Sequence, residues 1–92
     1  WRDDITSIGA YAFNGCVKLV NVDVPDKVKT LGDGAFLNCT KLTEILLPEF
    51  LQTIGYQTLA GCTNLRSIYI PDSVTSIGEK AFYNCKKHEK NE

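Results

Sequence analysis

Four thiols are the first residues in this chain that could do chemistry. Cys16, Cys39, Cys62 and Cys85 stand 23 residues apart, and cysteines can hold a metal, pair as disulfides or act as nucleophiles. A zinc site needs paired ligands at short spacing, such as C-x2–4-C, and the chain has none. A disulfide between neighbouring coils is within reach, because strands lie about 4.8 Å apart. Side chains at one repeat position point the same way, however, and this position should be buried. The thiols therefore read as small apolar residues. His88, the single histidine, lies in a polar tail without a serine, cysteine or carboxylate partner, so it reads as solvated. Gly32-Asp33-Gly34 suggests a phosphate loop but is one copy of a repeat. Asn38-Cys39-Thr40 fits a glycosylation acceptor, with a middle residue expected to be buried. Asp3, Asp4, Asp23 and Asp26 lack the twelve-residue loop of alternating oxygens that calcium favours. No nucleophile, base and acid converge at any repeat position, so the chain is read as not an enzyme, with no metal and no cofactor.

The elements that position these residues are written four times. Ile8-Gly9-Ala10-Tyr11-Ala12-Phe13-Asn14-Gly15-Cys16 recurs in register at Leu31 to Cys39, Ile54 to Cys62 and Ile77 to Cys85. The unit reads I-G-x-x-A-F-x-x-C-x-x-L-x-x-[IV]-x-[ILV]-P-[DE]-x-[VL]-x-[ST]. A period of this length signals a solenoid, in which each unit buries its apolar face only against its neighbours. Leu19 to Pro25, Leu42 to Pro48 and Leu65 to Pro71 are the expected strands. Val22 and Val24, Ile45 and Leu47, and Ile68 and Ile70 alternate with other residues at period two. Copies wound in one sense should pair in parallel, one strand per repeat. Pro25, Pro48 and Pro71 end the pairing, since proline has no N–H for a ladder. Ile5, Val28, Leu51 and Val74 then form a second short apolar segment on the return. Gly9, Gly32, Gly55 and Gly78 are expected to supply a positive φ or to let coils approach closely. Ala12, Phe13 and Cys16 suit a single turn of helix or 3-10, with Thr58 and Leu59 replacing Ala and Phe in the third copy.

Composition excludes several classes. A chain of 92 residues is one domain, 1–92, with a thin core. Ten basic against eleven acidic residues give a net charge of −1, so there is no excess to neutralise a phosphate backbone and no nucleic acid is expected. No apolar run approaches the roughly 20 residues of a membrane span, and no signal peptide is visible. The chain opens in mid-repeat and reads as a piece of a longer array. Its tail, 86–92, places His88 where Leu19, Leu42 and Leu65 stood and lacks the strand of a fourth repeat.

The repeated I-G-x-x-A-F-x-x-C-x-x-L-x-x-I-x-I-P pattern resembles the leucine-rich repeats of the BspA type, over residues 5 to 85. The resemblance implies an α/β repeat fold: a right-handed solenoid with a parallel β-sheet on one face, and short helical or 3-10 turns and short second strands on the return. It also implies a surface or secreted protein that binds host or extracellular-matrix proteins, and it brings no catalytic residues. In such solenoids the outward strand positions line an exposed face used for binding. Here these are Asn21, Asp23, Glu44, Leu46, Ser67 and Tyr69. Leu46 beside Tyr69 is an apolar and aromatic pair where the fold does not require one, and tyrosine is a common interface anchor. The expected function is a non-catalytic protein-binding or adhesion module; the alternative is a structural spacer within a longer solenoid. Trp1, Ile5, Ile8 and Phe82 should lie on terminal coils, so end-to-end self-association is a further expectation.

Overall fold

The computed structural model describes residues 2 and 4–85; Trp1, Asp3, His88 and the rest of the 86–92 tail lie outside the described residues. Six short strands follow in order: β1 (Ser7–Ile8), β2 (Asn21–Asp23), β3 (Thr30–Leu31), β4 (Glu44–Leu46), β5 (Thr53–Ile54) and β6 (Ser76–Ile77). They fall into two parallel sheets, β1-β3-β5-β6 and β2-β4. Ser7 pairs with Thr30, Thr30 with Thr53 and Thr53 with Ser76, so each step of the ladder is one period of sequence. About four coils at about 4.8 Å each amount to the molecule's shortest dimension, 19 Å.

The strand face is shorter than the alternation predicts. Only Asn21–Asp23 and Glu44–Leu46 form a ladder, and the strand expected over Leu65 to Pro71 keeps a single bridge, Glu44 to Ser67. Between that segment and the second coil the pairing holds only at its start, where Arg66 N–H donates to Thr43 C=O at 3.1 Å. The return sheet is the more continuous of the two.

The A-F-x-x-C stretch is a run of turns rather than helix. Ala12 N–H donates to Gly9 C=O and Cys16 N–H to Phe13 C=O, i to i−3 bonds of 3-10 type. Alternate N–H groups leave the coil: those of Tyr11, Phe13 and Gly15 donate to Asp33, Ala35 and Leu37 of the next one. Tyr11, Gly34, Gln57 and Lys80 at one repeat position, and Gly15, Asn38, Gly61 and Asn84 four residues on, all have φ between 55° and 75°. A left-handed residue every fourth position turns the chain out of helix before a second turn can form.

Of the two roles expected for the glycines of the I-G pair, close approach of coils is the one found at Gly32, Gly55 and Gly78, while positive φ falls on other positions, Gly15, Gly34 and Gly61 among them. Gly32, the second residue of the second copy, has no positive φ. A Cβ built there would lie 2.7 Å from the Ala10 nitrogen, so glycine is needed because the preceding coil's backbone lies against it. At Gly9 the same Cβ would meet nothing within 4 Å.

One continuous core runs through the stack. Val22, Ile45 and Ile68 point in from the strand face, and Ile8, Leu31 and Ile54 from the return. Phe13 and Phe36 stack with centroids 5.3 Å apart and planes 9° from parallel. Leu31, Leu42, Ile54 and Leu65 have no exposed surface, and each such side chain contributes about 1.5–3 kcal/mol. Leu59 takes the aromatic place in the third coil. Thr58 beside it is buried, its hydroxyl donating to Gly55 C=O at 2.6 Å.

Candidate functional site

Period-two alternation on the strand side turns the first and third residues of each strand outward. Asn21 faces Glu44 and Asp23 faces Leu46 in the ladder, and Glu44 is bridged to Ser67. Asn21, Glu44 and Ser67 thus form one row across the coils. Tyr69 takes the repeat position of Asp23 and Leu46 in a second row. All six side chains are exposed, with Leu46 at 54% and Tyr69 at 64%. The residues between them, Val22, Ile45 and Ile68, are buried. The face expected from the alternation is present, and its apolar pair is in the open.

The fading ladder shapes this face. Between the first two coils pairing runs the length of the strands and continues with Val24 N–H to Leu46 C=O at 3.0 Å. Between the second and third it holds only near the strand starts, where Arg66 N–H meets Thr43 C=O at 3.1 Å. Beyond those starts, where the pairing fades, lies a depression of about 210 Å³ lined by Glu44, Ile45, Leu46, Leu47, Ser67, Ile68 and Tyr69. A neighbouring one of about 230 Å³ is lined by Thr43, Glu44, Arg66 and Ser67. A larger hollow of about 340 Å³ lies at the first coil, lined by the core side chains Phe13, Leu19, Val22 and Phe36 together with the outward Asn21 and Asp23.

Several residues around the face escape the strand reading. Pro48-Glu49 and Pro71-Asp72 put an exposed acid just past the strand ends. The repeated P-[DE] pair was the available signal. Among the described residues Arg2–Asp4 is the one ion pair, so Asp23, Glu44, Glu49 and Asp72 carry no internal counter-ion.

The other candidates are scaffold. Cys39 and Cys62 are buried and all four thiols are free. Cys39, Cys62 and Cys85 donate S–H to the carbonyls of Phe13, Phe36 and Leu59 of the preceding coil at 3.1–3.3 Å. Burial pushes the Cys62 thiol up to about 12 and Cys85 to about 11, and raises Cys39 as well. Thiols held protonated are poor nucleophiles and poor metal ligands. No metal-holding group of three or more His, Cys, Asp or Glu occurs among the described residues. Cys39 at the centre of Asn38-Cys39-Thr40 has no exposed surface. Asp33 uses its carboxylate to accept the Tyr56 N–H at 2.9 Å, a role in holding coils together.

Parallel coils at a fixed period, an inward leucine and isoleucine core and one exposed strand face define a leucine-rich-repeat solenoid. The chain belongs to the BspA type leucine-rich repeat family: it matches the "BspA type leucine rich repeat region (6 copies)" over residues 1–91. It is similar to a leucine-rich repeat protein of Bacteroides ovatus, at 43% identity and a TM-score of 0.85, covering 89% of this chain and 21% of that one. A leucine rich cell surface protein of Faecalibacterium prausnitzii is similar at 35% identity and a TM-score of 0.90, covering 97% and 24%. A leucine-rich repeat protein of T. pallidum is similar at 32% identity and 0.63, covering 88% and 49%. The chain thus spans less than half the length of each of these proteins. No curated protein matches it.

Proposed function

We propose that this chain is a non-catalytic protein-binding or adhesion module of a cell-surface or secreted protein, and that its strand face holds the partner. The observation that carries the reading is the exposure of Leu46 and Tyr69 beside one another. An aromatic and an aliphatic side chain standing free of the core bind by burial against a partner. A host or matrix protein is the partner class the family resemblance suggests, and the F. prausnitzii relative is itself named a cell surface protein. No helix among the described residues is long and apolar enough to cross a membrane. Tyr69→Ala should weaken capture of purified matrix and host-surface proteins at least tenfold while leaving the melting temperature nearly unchanged. Equal capture by wild type and variant would sink the assignment.

One observation favours a second reading, a structural spacer. The chain covers only 21% and 24% of two of its relatives, so a function of the whole array need not sit on these coils. The same coils bear on self-association. Ile77 is 48% exposed at the position where Leu31 and Ile54 are fully buried, and covering it with another coil would stabilise an end-to-end contact. Sedimentation at several concentrations separates association from a monomer.

A further inference from the structure

Resting on the strand-face reading, we infer that the depression between Leu46 and Tyr69 seats one large apolar side chain of a partner polypeptide, with basic residues next to it. Size argues for a side chain over a small molecule. At about 210 Å³ the space falls below the roughly 300–1,000 Å³ of small-molecule sites. The lining argues for an apolar occupant. Leu46, Leu47 and Tyr69 form its walls, with the buried Ile45 and Ile68 beneath. The opening lies where the ladder between the second and third coils fades, so the backbones are not closed over it.

Charge argues for basic neighbours. Glu44 lines the depression. Glu49 follows Leu47 by two residues and Asp72 follows Tyr69 by three, within about 10 Å of chain at about 3.3 Å per residue. All three are exposed and have no ion-pair partner among the described residues. Arg66 stands on the strand-start side and lines the neighbouring depression with Glu44, and Lys29 lies over the Phe50 ring, next to Glu49, on the strand-end side. Three acids, one lining the depression and two just past the strand ends, outnumber Arg66 and Lys29, and they complement a segment that carries lysine or arginine beside its anchor. An acidic segment would meet like charge on the strand-end side.

Fluorescence anisotropy on the full chain tests this with a labelled nine-residue peptide, its central phenylalanine flanked by lysines. Two control peptides replace the lysines by glutamates or the phenylalanine by serine. The lysine–phenylalanine peptide should bind at least tenfold more tightly than either control. Tyr69→Ala, Leu46→Ser and the double variant Glu49→Lys/Asp72→Lys should each lower its affinity about tenfold. All four residues are exposed, so unchanged thermal melts certify folding. Tighter binding of the glutamate peptide, lost in Tyr69→Ala, overturns the basic partner while the strand face stands as a binding surface. Lysine-dependent binding that ignores Tyr69→Ala and Leu46→Ser overturns the seat between them. Failure of all three peptides overturns the inference too, and the strand-face reading is then judged by its own capture experiment.

Discussion

Cys39, Cys62 and Cys85 each donate S–H to a main-chain carbonyl of the preceding coil, and it is their burial that decides how the cysteine column answers to pH. In the unfolded chain Cys62 titrates near its ordinary 9.0, and in the folded chain near 12, chiefly because burial disfavours the thiolate. Below pH 9 both states stay protonated and the thiol's contribution to stability is complete. Above it the unfolded chain ionises first, and the contribution is lost as pH rises towards 12. Between pH 8 and 10 wild type should lose roughly 1 kcal/mol more than Cys62→Ala. Urea melts of both proteins at the two pH values measure the difference, and parallel losses would refute the assignment. Backbone proximity makes the second residue-scale prediction. A Cβ at Gly32 would press on Ala10 backbone, and one at Gly9 meets nothing within 4 Å. Gly32→Ala should cost about 1–3 kcal/mol and Gly9→Ala no more than about 0.5 kcal/mol. Denaturation midpoints at unchanged m-value read this directly.

At the scale of the element, the turn is defined by its left-handed residues, and three of them are neither glycine nor asparagine: Tyr11, Gln57 and Lys80. Such a conformation costs a non-glycine residue about 1–2 kcal/mol. It is held in place because the Gln57 N–H donates to Glu79 C=O of the next coil at 3.1 Å. Gln57→Gly relieves that strain but adds flexibility to the unfolded chain, so its stability should stay within about 1 kcal/mol of wild type. Gln57→Val, β-branched at positive φ, should cost about 2 kcal/mol or more, as thermal melts of the pair would show. The same turn marks the limit of what the residues disclosed. The period, the parallel pairing and the inward set of Val22, Ile45 and Ile68 were legible, because they depend only on which positions repeat and alternate. Glycine answers both to close approach and to positive φ, so its presence at 32 did not say which was needed. Tyr11, Gln57 and Lys80 gave no local sign of a left-handed backbone that the stack imposes. On the candidate site, the outward residues followed from alternation. The depression and the nearby acids Glu49 and Asp72 did not, since they depend on where neighbouring strands stop pairing.

For the whole molecule, stability is a sum over coils and the interfaces between them, because each coil touches only its neighbours. One repeat position samples the stack from end to end. Ile8 is 4% exposed, Leu31 and Ile54 are 0%, and Ile77 is 48%. The side chains are nearly equivalent, so the difference comes from what packs over each. Ile54→Ala removes buried atoms from between two coils and should cost about 2–5 kcal/mol. Ile77→Ala removes atoms already half in water and should cost less than about 1 kcal/mol. The gradient should also govern local opening. Phe36 N–H is bonded to Thr58 C=O, in coils flanked on both sides. Cys85 N–H is bonded only within its own turn, to Phe82 C=O. Opening the last turn breaks one interface, whereas exposing Phe36 requires separating the second coil from the third. Hydrogen exchange should therefore protect the Phe36 amide by about the global unfolding free energy and the Cys85 amide far less. Equal protection at the two amides would mean that the coils unfold as one indivisible unit and that the additive account of the stack is wrong.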